Sequence, residues 1–230
     1  MKKQLILGMI LVSTVLGIDY LTKPQTVNAA PASIFTPLLR TVKNQLPRGW
    51  VMRLPSSVNL SNTKLYPEVV TNSPGEFAVW LNSQPNCMSR SCQFAVIGVA
   101  KNSEYANSLR SKHILSKTDI QRVRAIRQRS SQTRTESEWT LLNRSEMAVI
   151  ERTPITLKQG VQGVFIVQNG GGASTPASLH VLWKQDGLDF RVSIKGGFDY
   201  ERSVAIQSQK SALINLAISM AKESPIKSAN

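Results

Sequence analysis

The segment from Leu179 to Ile194 restricts the fold more than any other part of this chain. Two runs that alternate apolar and polar residues flank Asp186-Gly187, a dipeptide typical of two-residue hairpin turns. Counting outward from the turn places Lys184 opposite Asp189 and collects six apolar side chains on one face. These six are Leu179, Val181, Trp183, Phe190, Val192 and Ile194. A shift of one residue would bury the charged pair, so we predict a hairpin in this register.

The rest of the chain predicts an α+β fold, in which an antiparallel, curved sheet of about six to eight strands carries an N-terminal and a C-terminal helix. Strand patterns occur at 50–54, 77–81, 94–99, 147–150, 155–157 and 161–168. Apolar residues at helical spacing predict helices at 36–46 and 204–222. Thr36 and Pro37 suit the N-cap and the first position of the earlier helix. Residues 226–230 are expected to fray.

The first thirty residues have the order of a secretory signal peptide. Lys2 and Lys3 precede an apolar run of 14 residues, Leu5 to Ile18, and a stretch of small residues follows. A membrane-spanning helix needs about 20 apolar residues, so this run is short for one, although an uncleaved anchor is the alternative interpretation. We expect residues 1–30 to direct export to the periplasm or the cell exterior and residues 31–230 to form a single exported domain.

The chain beyond residue 30 is strongly basic, with 25 basic and 13 acidic side chains and a net charge of +12. Eight of these basic residues, against one acid, fall between Arg110 and Arg134. Ser116 or Thr118 is suited to cap a short helix there, from which arginines would reach phosphate or carboxylate groups through forked hydrogen bonds. The candidate anion-binding residues are Arg122, Arg124, Arg127 and Arg129.

An anionic lipid or an envelope polymer is the partner that this basic segment favours in an exported protein. Nucleic acid is disfavoured, because the segment has no aromatic side chains on which bases would stack. The alternative interpretation is a solvated surface excursion that has no partner.

Cys87 and Cys92 are the only cysteines of the chain, and export would place them where disulfides persist. We predict that they bond to each other and close the tip of a hairpin formed by the two strands that flank them. A zinc site would need two more ligands, and no spacing around His113 or His180 suggests one. The sequence therefore predicts neither a metal nor a cofactor.

Catalytic patterns do not stand out in the sequence, and we predict a non-enzymatic protein. In the predicted hairpin His180 lies across from Ser193, on the face away from the core, as an ordinary cross-strand neighbour. His113, in the basic segment, has no identifiable partner. An exported hydrolase would require one of these histidines to reach a serine or a carboxylate within a cleft.

The C-terminal half resembles uncharacterised exported domains of bacteria. The residues that carry the resemblance are Leu157, Gly160, Leu182-Trp183, Asp186-Gly187, Phe190, Leu216-Ala217 and Ser219. Some of these domains form the extracytoplasmic part of anti-sigma factors, and their architecture is similar to that of periplasmic lipoprotein-carrier proteins. The resemblance implies a curved antiparallel sheet with helices on its concave side, and it implies no catalytic residues.

Two functions fit these observations. The first is a non-enzymatic binding or envelope-associated protein that holds an anionic partner through residues 110–134. The alternative is a periplasmic carrier or sensor that binds an apolar ligand between the sheet and its helices. An internal apolar cavity would be the feature that favours the alternative.

Overall fold

The computed structural model describes residues 30–60, 64–73, 75–87, 89, 91–170, 177–195 and 204–229. The predicted signal peptide lies outside this part of the chain except for its last residue. Within the described residues, no helix combines the length and the apolar character needed to cross a membrane. The predicted α+β class is confirmed.

The described residues form five α-helices, nine β-strands and two short 3₁₀ helices. The helices are α1 (Leu39–Gln45), α2 (Glu104–Ser111), α3 (Lys117–Arg127), α4 (Glu136–Ser145) and α5 (Val204–Lys222), with the 3₁₀ helices at Ser33–Leu38 and Ser131–Thr133. The strands are β1 (Val51–Met52), β2 (Tyr66–Ser73), β3 (Glu76–Asn82), β4 (Gln93–Ala100), β5 (Val149–Lys158), β6 (Val161–Gln168), β7 (Ser178–Gln185), β8 (Leu188–Lys195) and β9 (Ile226–Lys227).

Seven strands form one antiparallel sheet in the order β2-β3-β4-β8-β7-β6-β5, and β1 pairs separately with β9. The β7–β8 hairpin lies near the middle of this sheet, because β8 also pairs with β4. Its register is the predicted one, with Lys184 opposite Asp189. Asp186 and Gly187 both have positive φ angles, 53° and 73°, as a two-residue type I′ turn requires.

One face of the sheet, which we call the inner face, packs against α1, α5 and the first 3₁₀ helix in a continuous hydrophobic core. All six apolar side chains predicted for one face of the hairpin lie in this core. The predicted C-terminal helix is confirmed, and its contribution to the core comes from Leu213, Leu216, Ala217 and Met220. Each buried side chain of leucine size contributes about 1.5–3 kcal/mol, so this face supplies much of the stability of the fold.

The first helical segment begins earlier than the sequence predicts. Pro37 lies inside the 3₁₀ helix, which starts before Thr36, and the predicted N-cap at Thr36 is therefore wrong. Phe35 is fully buried in the core, and its N–H donates to the Ala32 carbonyl at 2.9 Å. The turn thus forms around the buried phenylalanine.

The C-terminal tail is hydrogen-bonded to the rest of the fold within residues 226–229, so the fraying expected there is wrong; Asn230 lies outside the described residues. Ile226–Lys227 form β9, which pairs with Val51–Met52 of β1. β1 has only two residues and is shorter than the strand predicted at 50–54. The N–H of Ala229 also donates to the Lys43 carbonyl at 2.8 Å. These backbone hydrogen bonds offset the entropic cost of ordering a chain end.

The sequence pattern does not predict one strand of the sheet, β2, and it predicts another, β5, as two separate strands. No strand is predicted over β2, whose residues alternate poorly between apolar and polar. The strands predicted at 147–150 and 155–157 correspond to the single strand β5, which begins at Val149, two residues later than predicted. Pro154 interrupts the pattern there, but β5 is an edge strand, where a missing N–H costs no ladder hydrogen bond.

The opposite face of the sheet, which we call the outer face, is partly covered by α2. Ala106 and Leu109 of this helix form a small hydrophobic cluster with Val149, Ile166 and Leu182 of the sheet. The face that the hairpin turns away from the core is therefore not simply solvated.

Two charged side chains of the sheet hold α2 in place. The buried carboxylate of Asp189 accepts hydrogen bonds from the Ser103 N–H at 3.0 Å and from the Arg110 guanidinium at 2.9 Å. Arg152 donates to the carbonyls of Leu109 and Lys112, where a cation complements the C-terminal end of a helix. Asp189 thus has closer partners than its cross-strand neighbour Lys184, whose Nζ atom is 3.9 Å away.

Arg53 is a buried cation that links three separate parts of the chain. Its Nη2 atom lies 2.8 Å from the Asp186 carboxylate in the hairpin turn, and Nη1 donates to the Glu223 carbonyl after α5. The side chain of Arg53 is 7 % exposed. It therefore joins the segment after β1 to the hairpin and to the end of α5.

We expect Arg53→Ala to lower the free energy of unfolding by about 3 kcal/mol, because the Glu223 carbonyl loses its donor and the packed arginine stem is removed. Urea unfolding followed by circular dichroism measures the change. Arg48→Ala is the matched control at an exposed arginine and should change the value by less than about 0.5 kcal/mol. Equal effects of the two substitutions would contradict the linking role of Arg53.

Candidate functional site

The outer face holds an open cavity of about 460 Å³ beside α2, which we call the outer-face cavity. Tyr105 of α2 and Met147, which precedes β5, border it together with side chains of β3, β4, β6, β7 and β8. Its apolar residues include Ala78, Trp80, Phe94 and Val96. Its polar residues include Gln168, Ser178, His180, Arg191, Ser193 and Lys195.

The middle of the cavity floor is formed by small side chains, which project only a short distance from the sheet. The strand register places Trp80, Val96, Ser193 and His180 in one row across β3, β4, β8 and β7. Val96 and Ser193 rise less far from the sheet than the Trp80 indole at the end of the row. At the other end α2 covers Ile166, the neighbour of His180 on β6. The helix thus leaves the centre of the row open.

An ion pair that crosses Gly98 borders the cavity. Arg191 donates through Nε and Nη2 to the two carboxylate oxygens of Glu76, with Nη2 2.9 Å from Oε2. A Cβ atom on Gly98 would collide with Glu76 Oε1 and would lie 3.1 Å from Arg191 Nε, so glycine leaves room for the pair. Arg191 also donates to Ser193 Oγ at 3.2 Å and stacks at 5.1 Å from the ring centre of Tyr105. The guanidinium group is therefore held in one position.

His180 is a deeply buried ionisable group at the cavity, only 2 % exposed. Its Nε2 atom lies 2.9 Å from Ser178 Oγ, and its ring meets that of Tyr105 edge-on with the centroids 5.9 Å apart. Burial, followed by the positive charges of Arg191 and Lys112, lowers the pKa of His180 to about 3. The imidazole is therefore neutral at pH 7.

Two buried polar atoms of the cavity residues, His180 Nδ1 and Gln168 Oε1, have no hydrogen-bond partner among the described residues. The Gln168 Nε2 atom donates to the Met147 carbonyl at 2.8 Å, which identifies the remaining amide atom as an oxygen acceptor. A buried polar atom without a partner costs about 1–3 kcal/mol. Both atoms are enclosed by the protein, so these two unsatisfied groups lower the stability of the fold and do not by themselves identify a ligand.

The His180–Ser178 contact meets the geometric requirement stated for a hydrolase, a histidine within reach of a serine in a cleft. The serine is not the cross-strand neighbour Ser193, whose hydroxyl accepts from Arg191. An imidazole with a pKa of about 3 is a poor general base at neutral pH, and its Nδ1 atom meets no carboxylate within the described structure. His113 is exposed. The non-enzymatic character of the protein stays a prediction.

The basic segment, residues 110–134, contains α3, which forms a helical hairpin with the following helix α4; we call this pair the basic helical hairpin. The Ser116 hydroxyl accepts from the Asp119 N–H and caps α3, so one of the two predicted caps is present. Val123 and Ile126 of α3 pack against Leu141 and Leu142 of α4 in a small cluster of their own. The predicted short helix is confirmed.

The four candidate arginines do not share one face of this hairpin. With 3.6 residues per turn, Arg122 lies on one side of the buried stripe of α3, and Arg124 and Arg127 lie on the other side. Arg129 follows the helix and forms an ion pair with Glu138 of α4. The structure therefore does not assemble these residues into a single site, and their anion-binding role stays a prediction.

The sulfur atoms of Cys87 and Cys92 lie at disulfide-bonding distance in the loop between β3 and β4, with their Cα atoms 6.3 Å apart. The side-chain amide of Asn82 donates to the Cys87 carbonyl at 3.0 Å and ties the loop to the strand. The loop leads directly into Gln93 and Phe94, which border the outer-face cavity. The predicted disulfide-tipped hairpin thus forms one wall of the cavity.

Comparison of the chain with known protein families, curated proteins and solved structures finds no match. The resemblance of the C-terminal half to exported bacterial domains therefore stays a prediction. The geometry of the outer-face cavity is the basis for a functional proposal.

The neutral, buried imidazole of His180 is expected to make stability depend on pH. The pKa is about 3 in the folded protein and 6.5 in the unfolded chain, so the unfolded chain binds a proton first as the pH falls. The contribution of the neutral His180 to the free energy of unfolding is complete above pH 6.5. It is lost as the pH falls towards 3, at up to about 1.4 kcal/mol per pH unit. Urea unfolding at a series of pH values should show this slope.

His180→Gln should reduce the slope of the free energy of unfolding against pH between pH 6.5 and pH 3 by the amount that one bound proton contributes. His113→Gln, at the exposed histidine, is the control and should retain the slope of the unmodified protein. An unchanged slope in the His180 variant would show that this imidazole is not buried in its neutral form.

Proposed function

We propose that this chain is an exported, non-enzymatic protein that binds a small molecule in the outer-face cavity, as a carrier or a sensor. The proposal rests on one observation, an open cavity that is lined by both apolar and polar side chains. The volume of about 460 Å³ lies within the range of about 300–1,000 Å³ that is usual for small-molecule sites.

The carrier hypothesis places the ligand between the sheet and its N- and C-terminal helices, which is the inner face. The cavity lies on the outer face. Between the sheet and α5, the side chains of Trp183, Phe190 and Met220 fill the space and are at most 1 % exposed. Trp183 also stacks on Phe190 with the ring centroids 5.3 Å apart. We therefore place the ligand on the outer face, where both an apolar surface and polar groups are available to it.

The floor of the cavity is suited to binding because it stands on hydrogen-bonded strands. Val96, Ser193 and His180 are neighbours in three adjacent strands of the sheet. Their positions are set by the backbone ladder before a ligand arrives, and a preformed site loses little entropy on binding. A carrier or a sensor needs this kind of rigid surface.

Two observations support the exported location that the proposal includes. The order of residues 1–30 is that of a signal peptide. Cys87 and Cys92 lie at bonding distance, and such pairs persist in oxidising compartments.

We expect that filling the cavity abolishes the binding of a small amphipathic probe, the dye anilinonaphthalene sulfonate. Ser193→Leu and Val96→Phe each place a larger side chain in the floor and should weaken binding by about tenfold or more in a fluorescence titration. Thr156→Phe adds an aromatic ring at an exposed position of β5 and is the control, with unchanged affinity. Thermal unfolding verifies that each variant is folded. Undiminished dye binding in both folded, filled variants would overturn the proposal.

The basic helical hairpin supports a second candidate function, association with an anionic lipid surface or envelope polymer. Within the described structure, Arg129 and Arg144 have acidic partners, whereas no acidic group lies within 4.0 Å of Arg122 or Arg127. These two cations are therefore available to an external anion.

The double variant Arg122→Gln/Arg127→Gln should lose most of the salt-sensitive retention on phosphatidylglycerol vesicles in a sedimentation assay. Lys43→Gln/Lys158→Gln removes the same charge from other surfaces and is the matched control. Equal retention of the two variants would show that net charge, and not the basic segment, is responsible.

A further inference from the structure

Trp139, in the first turn of α4, is the exposed tryptophan of this chain, with 42 % of the residue accessible to solvent. The other three tryptophans lie within the described residues and are buried or half-buried. A single exposed apolar side chain is common on protein surfaces and by itself indicates no function. The surroundings of Trp139 therefore decide what its exposure means.

The position of the indole ring is fixed by the helix that carries it. The capping box of Thr135 and Glu138 sets the start of α4. Leu141 and Leu142 turn towards α3, where they pack in the small core of the basic helical hairpin. With about 100° of rotation per residue, Trp139 lies beside this buried stripe, on one flank of the hairpin.

A cationic residue of α3 shares this flank with Trp139. Arg144 marks the opposite flank, because it lies five residues after Trp139, about 140° around α4, and pairs there with Asp119 of α3. Arg122 is one turn further along α3, on the same side as that ion pair. Arg127 lies about 140° around α3 from Arg122 and is therefore on the flank of Trp139.

Arg134, in the connection between the two helices, adds a second cation to this flank. Its guanidinium carbon lies 5.1 Å from the centre of the Trp139 ring, a cation–π contact. Arg127 and Arg134 form no ion pair with the acidic residues that the structure describes. Residues 116–145 contain seven basic and three acidic side chains, so the hairpin has a net charge of 7 − 3 = +4.

An exposed indole among cations fits the boundary between the headgroups and the acyl chains of an anionic bilayer. Tryptophan is enriched at that boundary because its ring is apolar and its N–H is polar. Arginines beside the ring meet the anionic headgroups at the same depth. A dissolved polyanion would attract the arginines equally but would offer the indole ring no apolar surface.

We infer that the basic helical hairpin docks on an anionic lipid bilayer through the flank of Trp139, which inserts its indole ring at the headgroup boundary. Arg127 and Arg134 then face the headgroups. This inference rests on the second candidate function, since it selects a lipid surface over an envelope polymer and names the inserting residue.

The first test measures insertion directly. The full exported chain is mixed with phosphatidylglycerol vesicles whose acyl chains carry bromine, which quenches tryptophan fluorescence only at close range. Trp139→Phe should remove most of the quenching, because the remaining indoles are buried or half-buried. Trp50→Phe removes one of those indoles, is the matched control and should retain the quenching.

The second test separates insertion from charge. Trp139→Ala should weaken retention on phosphatidylglycerol vesicles by about fivefold or more in the sedimentation assay, because apolar contact with the bilayer is lost. Its retention on a polyphosphate column should equal that of the unmodified protein, because no charge is removed. Thermal unfolding verifies that each variant is folded.

The outcomes distinguish this inference from the second candidate function. Vesicle binding without quenching of Trp139, or retention that Trp139→Ala leaves unchanged, would overturn the insertion and leave charge-driven association in place. Retention on polyphosphate but not on vesicles would overturn the lipid surface and leave the polymer as partner. No retention on either would overturn both the inference and the second candidate function.

Discussion

The carboxylate of Asp189 determines which part of the sheet stays open. It is buried on the outer face and therefore requires donors, which it finds in the Ser103 N–H and the Arg110 guanidinium of the α2 region. These contacts hold the helix over β6 and β7 and away from the centre of the row between Trp80 and His180. A helix displaced across the sheet would fill the cavity and leave the buried carboxylate with only Lys184, whose Nζ atom is 3.9 Å away, at a cost in stability. The position of the cavity thus follows from the contacts that fix α2, those of Asp189 above all, with those of Arg152 and the hydrophobic cluster beneath the helix.

Much of the sheet can be predicted from the sequence, because its strongest signals are local. The β7–β8 register follows from a turn dipeptide and from alternating side chains, and both act over a few residues. The same holds for α5 and for the hairpin that ends in the cysteine pair. β2 and β5 are less regular at the sequence level, since they are the two edge strands and pack against neighbours on one side only. Pro154 is tolerated in β5 for that reason.

The cavity itself is not visible in any local pattern, because its residues come from six separate elements. The hairpin pattern correctly predicts that His180 and Ser193 lie on the face away from the core. It cannot show that a helix from a distant segment partly covers that face. One signal does exist: β6 is apolar on both faces, with Ile166 on the outer side and Phe165 on the inner side. A strand of this kind is typical of a sheet covered on both faces. Leu182 on β7 carries the same information.

The strongly basic composition and the cavity act on a ligand over different distances. Charges separated by more than about 8 Å of solvent are largely screened at physiological ionic strength. The arginines of α3 are not among the residues that border the cavity, so they contribute mainly to attracting anions towards the protein. On the proposed function, discrimination between ligands would come from the side chains that border the cavity, among them Arg191 and the neutral His180. On the same proposal, the long-range charge of the chain attracts anions to the surface in general, and the apolar and polar side chains of the cavity select among small molecules at short range.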